Sequence, residues 1–402
     1  MQLYILNKNY DVIGMIDACE SVLWIPKYND EGECEIYVPC ELEYLSLLKK
    51  GNYIYRYDDE MFCKIEYNEI QTDVENGDHL ICIGSDIATM LSGRVIQSQA
   101  VFSGTVARFV EKLLLDNVIN APQASRRIPN FRIDTSNFAE FTDVIETSAF
   151  GEDLLQRIMT TCKTYNLGFR VRYDISDRVL VFRLYRGKNK ASADSAEYVE
   201  FSPQFANIIS SNYKEDDRNY KNVACVQYKD VNENIKVIWV YSGTEPRGEE
   251  RREIPVDATS INRNVTYEEL LEMFPKVKKD TQRHTYYISV NGGNVDVANY
   301  ETREATETEQ ETETLTITDY TVEKLARNIG RDTLSQSKGY RAYTGNVDTL
   351  DTYVYKVDYN IGDIVKVINE YGIETEARVT EVLESDDNES GYVVEPKFEY
   401  LN

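Results

Sequence analysis

The chain has 402 residues, 42% hydrophobic and 28% charged, which lies inside the globular range and excludes a disordered chain. At roughly 100–200 residues per domain, about three packed cores are expected. Sixty-nine acidic against 44 basic residues give a formal net charge of −25, which repels a phosphate backbone and excludes a sequence-specific nucleic-acid reader, while still suiting a wall past which DNA slides without adhering.

From Leu3 to about Ser85 the pattern is strands and tight turns. Tyr53, Tyr55 and Tyr57 alternate with Ile54 and Arg56, Asp58-Asp59-Glu60 turns the chain, and Met61–Glu66 returns as a hairpin. A second hairpin is predicted from the Asn76-Gly77 pair between two strand-like runs, because both residues tolerate positive φ. Residues 1–97 are read as an all-β domain, a small barrel.

The period changes behind Thr105, where Val106, Phe109, Val110, Leu113 and Leu114 recur at helical spacing. A second helix is predicted over 151–165 and stops at Asn166 and Gly168. Phe169, Val171 and Tyr173 then alternate with Arg170 and Arg172, and Val179–Tyr185 returns. Residues 98–190 are read as an α+β domain.

Gly187–Ala196 is small and polar, a loop or linker. Strands are predicted at Val223–Tyr228 and Ile235–Tyr241, and helices at 266–274 and 321–336. Residues 301–314 alternate Thr and Glu, with Glu307, Glu309, Glu311 and Glu313 on one face; an exposed strand and an acidic loop both fit. From Tyr353 the pattern returns to strands at Ile364–Ile368, Glu374–Leu383 and Tyr392–Tyr400. Residues 191–260 and 340–402 are read as a second small barrel, with 261–339 inserted into it. The fold class is α+β, β-rich and multidomain. The 30 tyrosines agree, since a long amphipathic ring suits half-buried strand faces and interfaces.

Chemistry is sparse. The two histidines, His79 and His284, have no nucleophile elbow or cysteine nucleophile signature to serve. Seven cysteines (Cys19, Cys34, Cys40, Cys63, Cys82, Cys162, Cys225) include no CxxC pair, supply no zinc spacing and fit a reduced site of synthesis. Asp386–Gly391 starts like a calcium loop, but Lys397 stands where the bidentate Glu belongs. No phosphate-binding glycine motif occurs, and the abundance of carboxylates makes any acidic pair uninformative. No enzyme activity, cofactor or metal is expected. Lys8, Asp11 and Asp17 break the N-terminal stretch that a signal peptide would keep apolar, and no apolar run is long enough for a membrane helix.

One ordered set of short motifs spans the chain. Ser21–Tyr28 (SVLWIPKY) with Trp24, Lys27 and Tyr28 precedes Gly32–Pro39 (GECEIYVP). Leu91–Ile96 carries Arg94, and Arg126–Asn130 carries Arg127 and Pro129. Tyr359–Val365 carries Gly362 and Asp363, Ala377–Val382 carries Arg378 and Glu381, and Glu395–Phe398 carries Pro396 and Phe398. In order and spacing these resemble the minor tail proteins of siphophages, with Cys34 where an aromatic is usual and Lys27 where Arg is common.

The resemblance implies a structural tail-tip or baseplate hub subunit of a phage, prophage or tail-like particle, assembled in the bacterial cytoplasm. It implies a homotrimer whose paired barrels form a pseudo-sixfold ring between tail tube, distal tail ring and a spike, fibre or tape-measure protein, with DNA passing through. The named residues are then fold-defining. The −25 would either line that lumen or coat the exterior. A receptor-binding or fibre-attachment protein recognising cell-surface carbohydrate is the alternative.

Overall fold

The computed structural model describes residues 1–17, 19–74, 77–97, 100–192, 196–205, 207–303, 312–347, 352–388 and 391–400. Its largest element is an open sheet of thirteen strands. In spatial order eleven of them run Ile208–Asp216, Tyr340–Val347, Gly391–Tyr400, Glu374–Asp387, Ser21–Ile25, Glu33–Pro39, Gly77–Asp86, Phe62–Asp73, Tyr53–Tyr55, Leu3–Leu6 and Val12–Ile16. Ile364–Ile368 adds to Glu374–Asp387, and Glu200–Phe201 adds to Ile364–Ile368 in parallel.

Alternation of side chains sets these strands. In Glu33–Pro39 the residues Cys34, Ile36 and Val38 are buried while their neighbours are not, as a half-buried strand requires. Both predicted hairpins form: Tyr53–Tyr55 pairs with Phe62–Asp73, which pairs with Gly77–Asp86. Asn76 lies outside the described residues.

The two barrels expected at the chain ends are not separate closed sheets among the described residues. Glu374–Asp387 is 14 residues long. Its first half pairs with Ile364–Ile368 and its second half with Ser21–Ile25, Glu384 opposite Trp24. Glu33–Pro39 covers only one edge of Ser21–Ile25, so the other edge is open to that pairing, which satisfies its backbone groups. Two cores persist beside this seam: one holds Leu3, Ile5, Trp24, Ile36 and Cys63, the other Phe201, Tyr359, Val365, Val379 and Phe398.

A third core belongs to the mixed segment. Gly168–Asp174 and Val179–Tyr185 pair antiparallel, and Phe131–Asp134 joins Val179–Tyr185 in parallel. The helices Val106–Leu114 and Leu154–Thr164 supply Phe109, Leu113, Leu155 and Ile158 to this core. The Asp153 carboxylate starts the second helix by accepting from the Gln156 amide at 3.0 Å.

Val223–Lys229, Ile235–Tyr241 and Glu253–Asp257 form their own sheet. Although their sequence position groups them with the closing strands, Val226 and Val240 pack in one core with the helix Asp319–Gln336 and the five-stranded sheet around Gly293–Arg303. Gly330 makes this approach possible, since a Cβ there would lie 2.7 Å from Val226. The helix Tyr267–Met273 opens with a capping box of Thr266 and Glu269. Of the Thr/Glu segment, Glu301–Arg303 and Thr312–Thr314 are strand, and 304–311 lie outside the described residues.

Among the described residues no helix is long and apolar enough to cross a membrane, and no acidic, Cys or His group is placed to hold a metal. All seven cysteines are free thiols.

Candidate functional site

Several of the residues singled out in the sequence, among them Gly362, Asp363 and Arg378, converge at Tyr28. After the strand Ser21–Ile25 the chain continues along Glu374–Asp387: Lys27 bridges Glu381, and the Tyr28 amide donates to the Thr380 carbonyl at 2.8 Å. The Tyr28 carbonyl accepts from the Phe169 amide at 3.1 Å, and its hydroxyl donates to the Asn166 carbonyl at 3.0 Å. One residue therefore ties the opening strands, the closing strands and the mixed α/β segment together.

The ring is fully buried. Arg378 lies over it at 5.0 Å and donates to the Gly362 carbonyl at 2.6 Å, while Tyr185 meets it edge-on at 5.3 Å. Burial pushes the Tyr28 hydroxyl up to about 12 against the opposing pull of Arg378, and burial draws Arg378 below its ordinary value.

Glycines make the slot. A Cβ at Gly168 or Gly362 would lie 2.4 or 2.5 Å from the Tyr28 ring, and one at Gly187 would lie 2.0 Å from the Gly362 carbonyl carbon. Gly362 also has φ +93°, a conformation that disfavours any side chain. In the sequence Gly168 reads as a helix stop and Gly187 as the start of a loop or linker. Its first residues are pinned, because Lys190 donates to the Ile364 carbonyl at 2.7 Å through its amide and to the Asp358 carbonyl at 2.6 Å through Nζ. Asp363 fixes the same turn: it accepts from the Lys188 amide at 2.7 Å and the Asn360 amide at 3.0 Å, with Lys190 Nζ at 3.2 Å.

A second lock involves residues that the sequence did not single out. Glu384 is fully buried and accepts from Arg56 Nη2 at 2.7 Å, Arg56 Nη1 at 3.0 Å, Lys356 Nζ at 3.2 Å and the Tyr392 hydroxyl. Arg56 lies over the Trp24 ring at 5.6 Å. Trp24 thus anchors the first core and floors this ion pair.

The remaining candidates are placed as follows. A Cβ on Gly32 would meet Met61 Sδ at 2.5 Å and the Ile25 carbonyl at 2.8 Å, so this turn is too tight for a side chain. Pro396 stands opposite Val382, Phe398 is buried opposite Val379, and Glu381 pairs with Lys397 at 3.5 Å. Arg94, Arg127 and Pro129 belong to a separate set of turns: the Arg94 carbonyl accepts from Leu154, Arg127 Nε donates to the Ala121 carbonyl at 2.8 Å, and Pro129 is exposed.

Solved structures of other tail proteins resemble the chain. The tail protein of Neisseria meningitidis MC58 is 13% identical, with TM-score 0.49, over 99% of this chain and 95% of that one. Prophage tail protein gp18 of Listeria monocytogenes EGD-e is 14% identical, with TM-score 0.48, over 99% and 94%. The 43 kDa tail protein of prophage MuSo2 from Shewanella oneidensis is 11% identical, with TM-score 0.49, over 99% and 98%. No curated protein matches the chain. The Siphovirus ReqiPepy6 Gp37-like protein family matches from residue 2 to residue 398, so that nearly the whole fold described above, Tyr28 junction and Glu384 lock included, falls within the match, and the chain belongs to this family of siphovirus tail proteins.

Proposed function

We propose that the chain is a non-enzymatic structural subunit of the tail-tip or baseplate hub, three copies of which close a ring around the channel for DNA. The ring would join the tail tube and distal tail ring to the spike, fibre or tape-measure protein. The observation that supports this reading is the seam between the two ends of the chain. Two strand sets with separate cores stand side by side in one sheet and are held rigidly by Tyr28 and Glu384. A subunit with two such halves gives six half-units when three copies close, which is how a threefold tip meets a hexameric tube. The named motif residues act in this reading as fold-defining residues of the seam and its flanks.

Antibody-gold labelling of tails from lysates of the producing cells, viewed by negative-stain electron microscopy, tests the position. Gold at the tail tip is the expected result. Unlabelled tips beside abundant free antigen would overturn the reading.

A further inference from the structure

The helix Asp319–Gln336 has two faces with different partners. Val322, Leu325, Ala326 and Leu334 pack into the core that it shares with Val226, Val240 and Leu315. Lys324, Asn328, Asp332 and Ser335 follow at spacings of four, four and three residues and make one polar stripe. On an amphipathic helix such a stripe is ordinarily left to water. Here it lies against the mixed segment. Lys324 pairs with Glu146 at 3.2 Å, and Asp332 accepts from Arg157 Nη2 at 3.0 Å and from the Thr147 hydroxyl at 2.5 Å. Ser335 meets the Thr164 hydroxyl at 3.3 Å, and away from the helix Lys112 pairs with Glu272 at 3.4 Å.

Residues 222–337 form a module whose core does not merge with that of the mixed segment among the described residues. At the contact, Phe102 on one side and Met273 and Leu325 on the other line a small cavity. The chain enters and leaves the module side by side. Asp216 stands opposite Tyr340 at the end of the paired strands Ile208–Asp216 and Tyr340–Val347, and the Lys221 amide donates to the Ser337 carbonyl at 2.8 Å. With all cysteines free, this two-stranded stalk is the covalent link to the rest of the chain. A groove of about 780 Å³ separates Lys214, Asp216 and Asn219 on the stalk from Thr160 and Lys163 on the helix Leu154–Thr164, so the stalk has room to bend.

We propose that the module is a hinged arm, docked on the mixed segment through its polar stripe and able to swing away from it about the stalk as a rigid body. Opening exchanges ion pairs and hydroxyl contacts for hydrogen bonds to water, so the docked form is held by a narrow margin while the apolar cores on either side stay sealed. Domains of one chain that meet through such polar contacts move relative to each other unless a large apolar interface stops them. Arg157 has the Phe109 ring at 5.4 Å and Glu152 at 3.8 Å besides Asp332, so undocking strands no unpaired charge. Tyr28 and the pair of Arg56 with Glu384 lie outside the arm, and the two ends of the chain stay fastened while it moves. The hinge belongs to the single chain and holds whether or not three copies form a ring.

The test is small-angle X-ray scattering of the full chain during size exclusion, with species compared at equal mass from the forward scattering. Asp332→Lys/Lys324→Glu sets like charges against Arg157 and Glu146 and leaves the apolar face of the helix intact. The radius of gyration should rise by about 2 Å, against the roughly 21 Å of a compact chain of this length, with the far-ultraviolet circular dichroism unchanged. Adding Glu146→Lys to that variant restores an attraction across the contact and should bring the radius at least halfway back, which a merely damaged helix would not do. An unchanged radius in the double variant, a raised radius that Glu146→Lys does not lower, or loss of the folded circular dichroism signal would each overturn the proposal, the last by showing that the stripe belongs to a shared core.

Discussion

Arg56 and Glu384 form a buried ion pair across the seam, with Nη2 and Oε2 2.7 Å apart and side chains 4% and 1% exposed. The pair joins the turn after Tyr53–Tyr55 to the strand Glu374–Asp387, so it fastens the two ends of the chain where their strands meet. Breaking a buried pair strands one charge, whereas replacing both charges with apolar groups does not. Arg56→Met should therefore cost about 3 kcal/mol, and the double variant Arg56→Met/Glu384→Met should recover at least half of that. Lys356 lies 3.2 Å from Glu384 and 2.8 Å from Asp59, which keeps the cost of the single variant at the low end for a broken buried pair. Urea denaturation of both variants measures the difference, and a double variant no more stable than Arg56→Met would refute the account.

The glycine slot predicts a ranking of substitutions. Gly187→Ala drives a Cβ into backbone, an overlap that no side-chain rotation relieves, and should cost about 3 kcal/mol or more. Gly372 has φ +75° but open space around it, so Gly372→Ala should cost only about 1 kcal/mol, the ordinary left-handed penalty. Thermal melts of the two variants give the order directly.

Tyr28→Phe keeps the ring in the slot and removes only the hydroxyl, leaving the Asn166 carbonyl without its donor. A loss of about 1 kcal/mol is expected. Tyr28→Ala empties the slot and should cost about 4 kcal/mol. Comparable losses for the two would mean that the hydrogen bond, not ring packing, holds the junction.

Asp86 gives a pH signature. Burial pushes its carboxyl up to about 6; Arg170 and the Ala88 amide pull it down, and Asp59 and Glu31 push it up further. The folded chain therefore holds this proton more tightly than the unfolded chain. Its contribution to stability is present at low pH and is lost as pH rises from the ordinary carboxylate value through about 6. Relative to Asp86→Asn, the wild type should lose about 2 kcal/mol between about pH 4 and pH 7. Parallel stability curves for the two proteins would contradict the assignment.

Local structure was readable where the signal is local. The hairpins around Tyr53–Asp86 follow from alternation and a turn at Gly77, and the helices at Val106, Leu154, Tyr267 and Asp319 from apolar spacing. The seam was not readable, because alternation tells a strand which face is inward and nothing about which strand lies beside it. Nothing near Trp24 announces that Glu384 will stand opposite. Gly187 reads as a loop because its close approach to Gly362 is a tertiary fact, and nothing local marks Arg56 or Glu384 as buried because their burial depends on that same pairing. Of the motif residues, Tyr28, Gly362, Asp363 and Arg378 meet at one junction, whereas Arg94, Arg127 and Pro129 hold turns elsewhere. Sequence order alone does not separate the two groups.

Electron cryomicroscopy of tails purified from the producing cells tests the central claim most directly. The account predicts a closed ring of three copies at the tail tip, each contributing two neighbouring strand sets to the wall of the channel. Density for the chain away from the tip, or a different copy number in the ring, would contradict it.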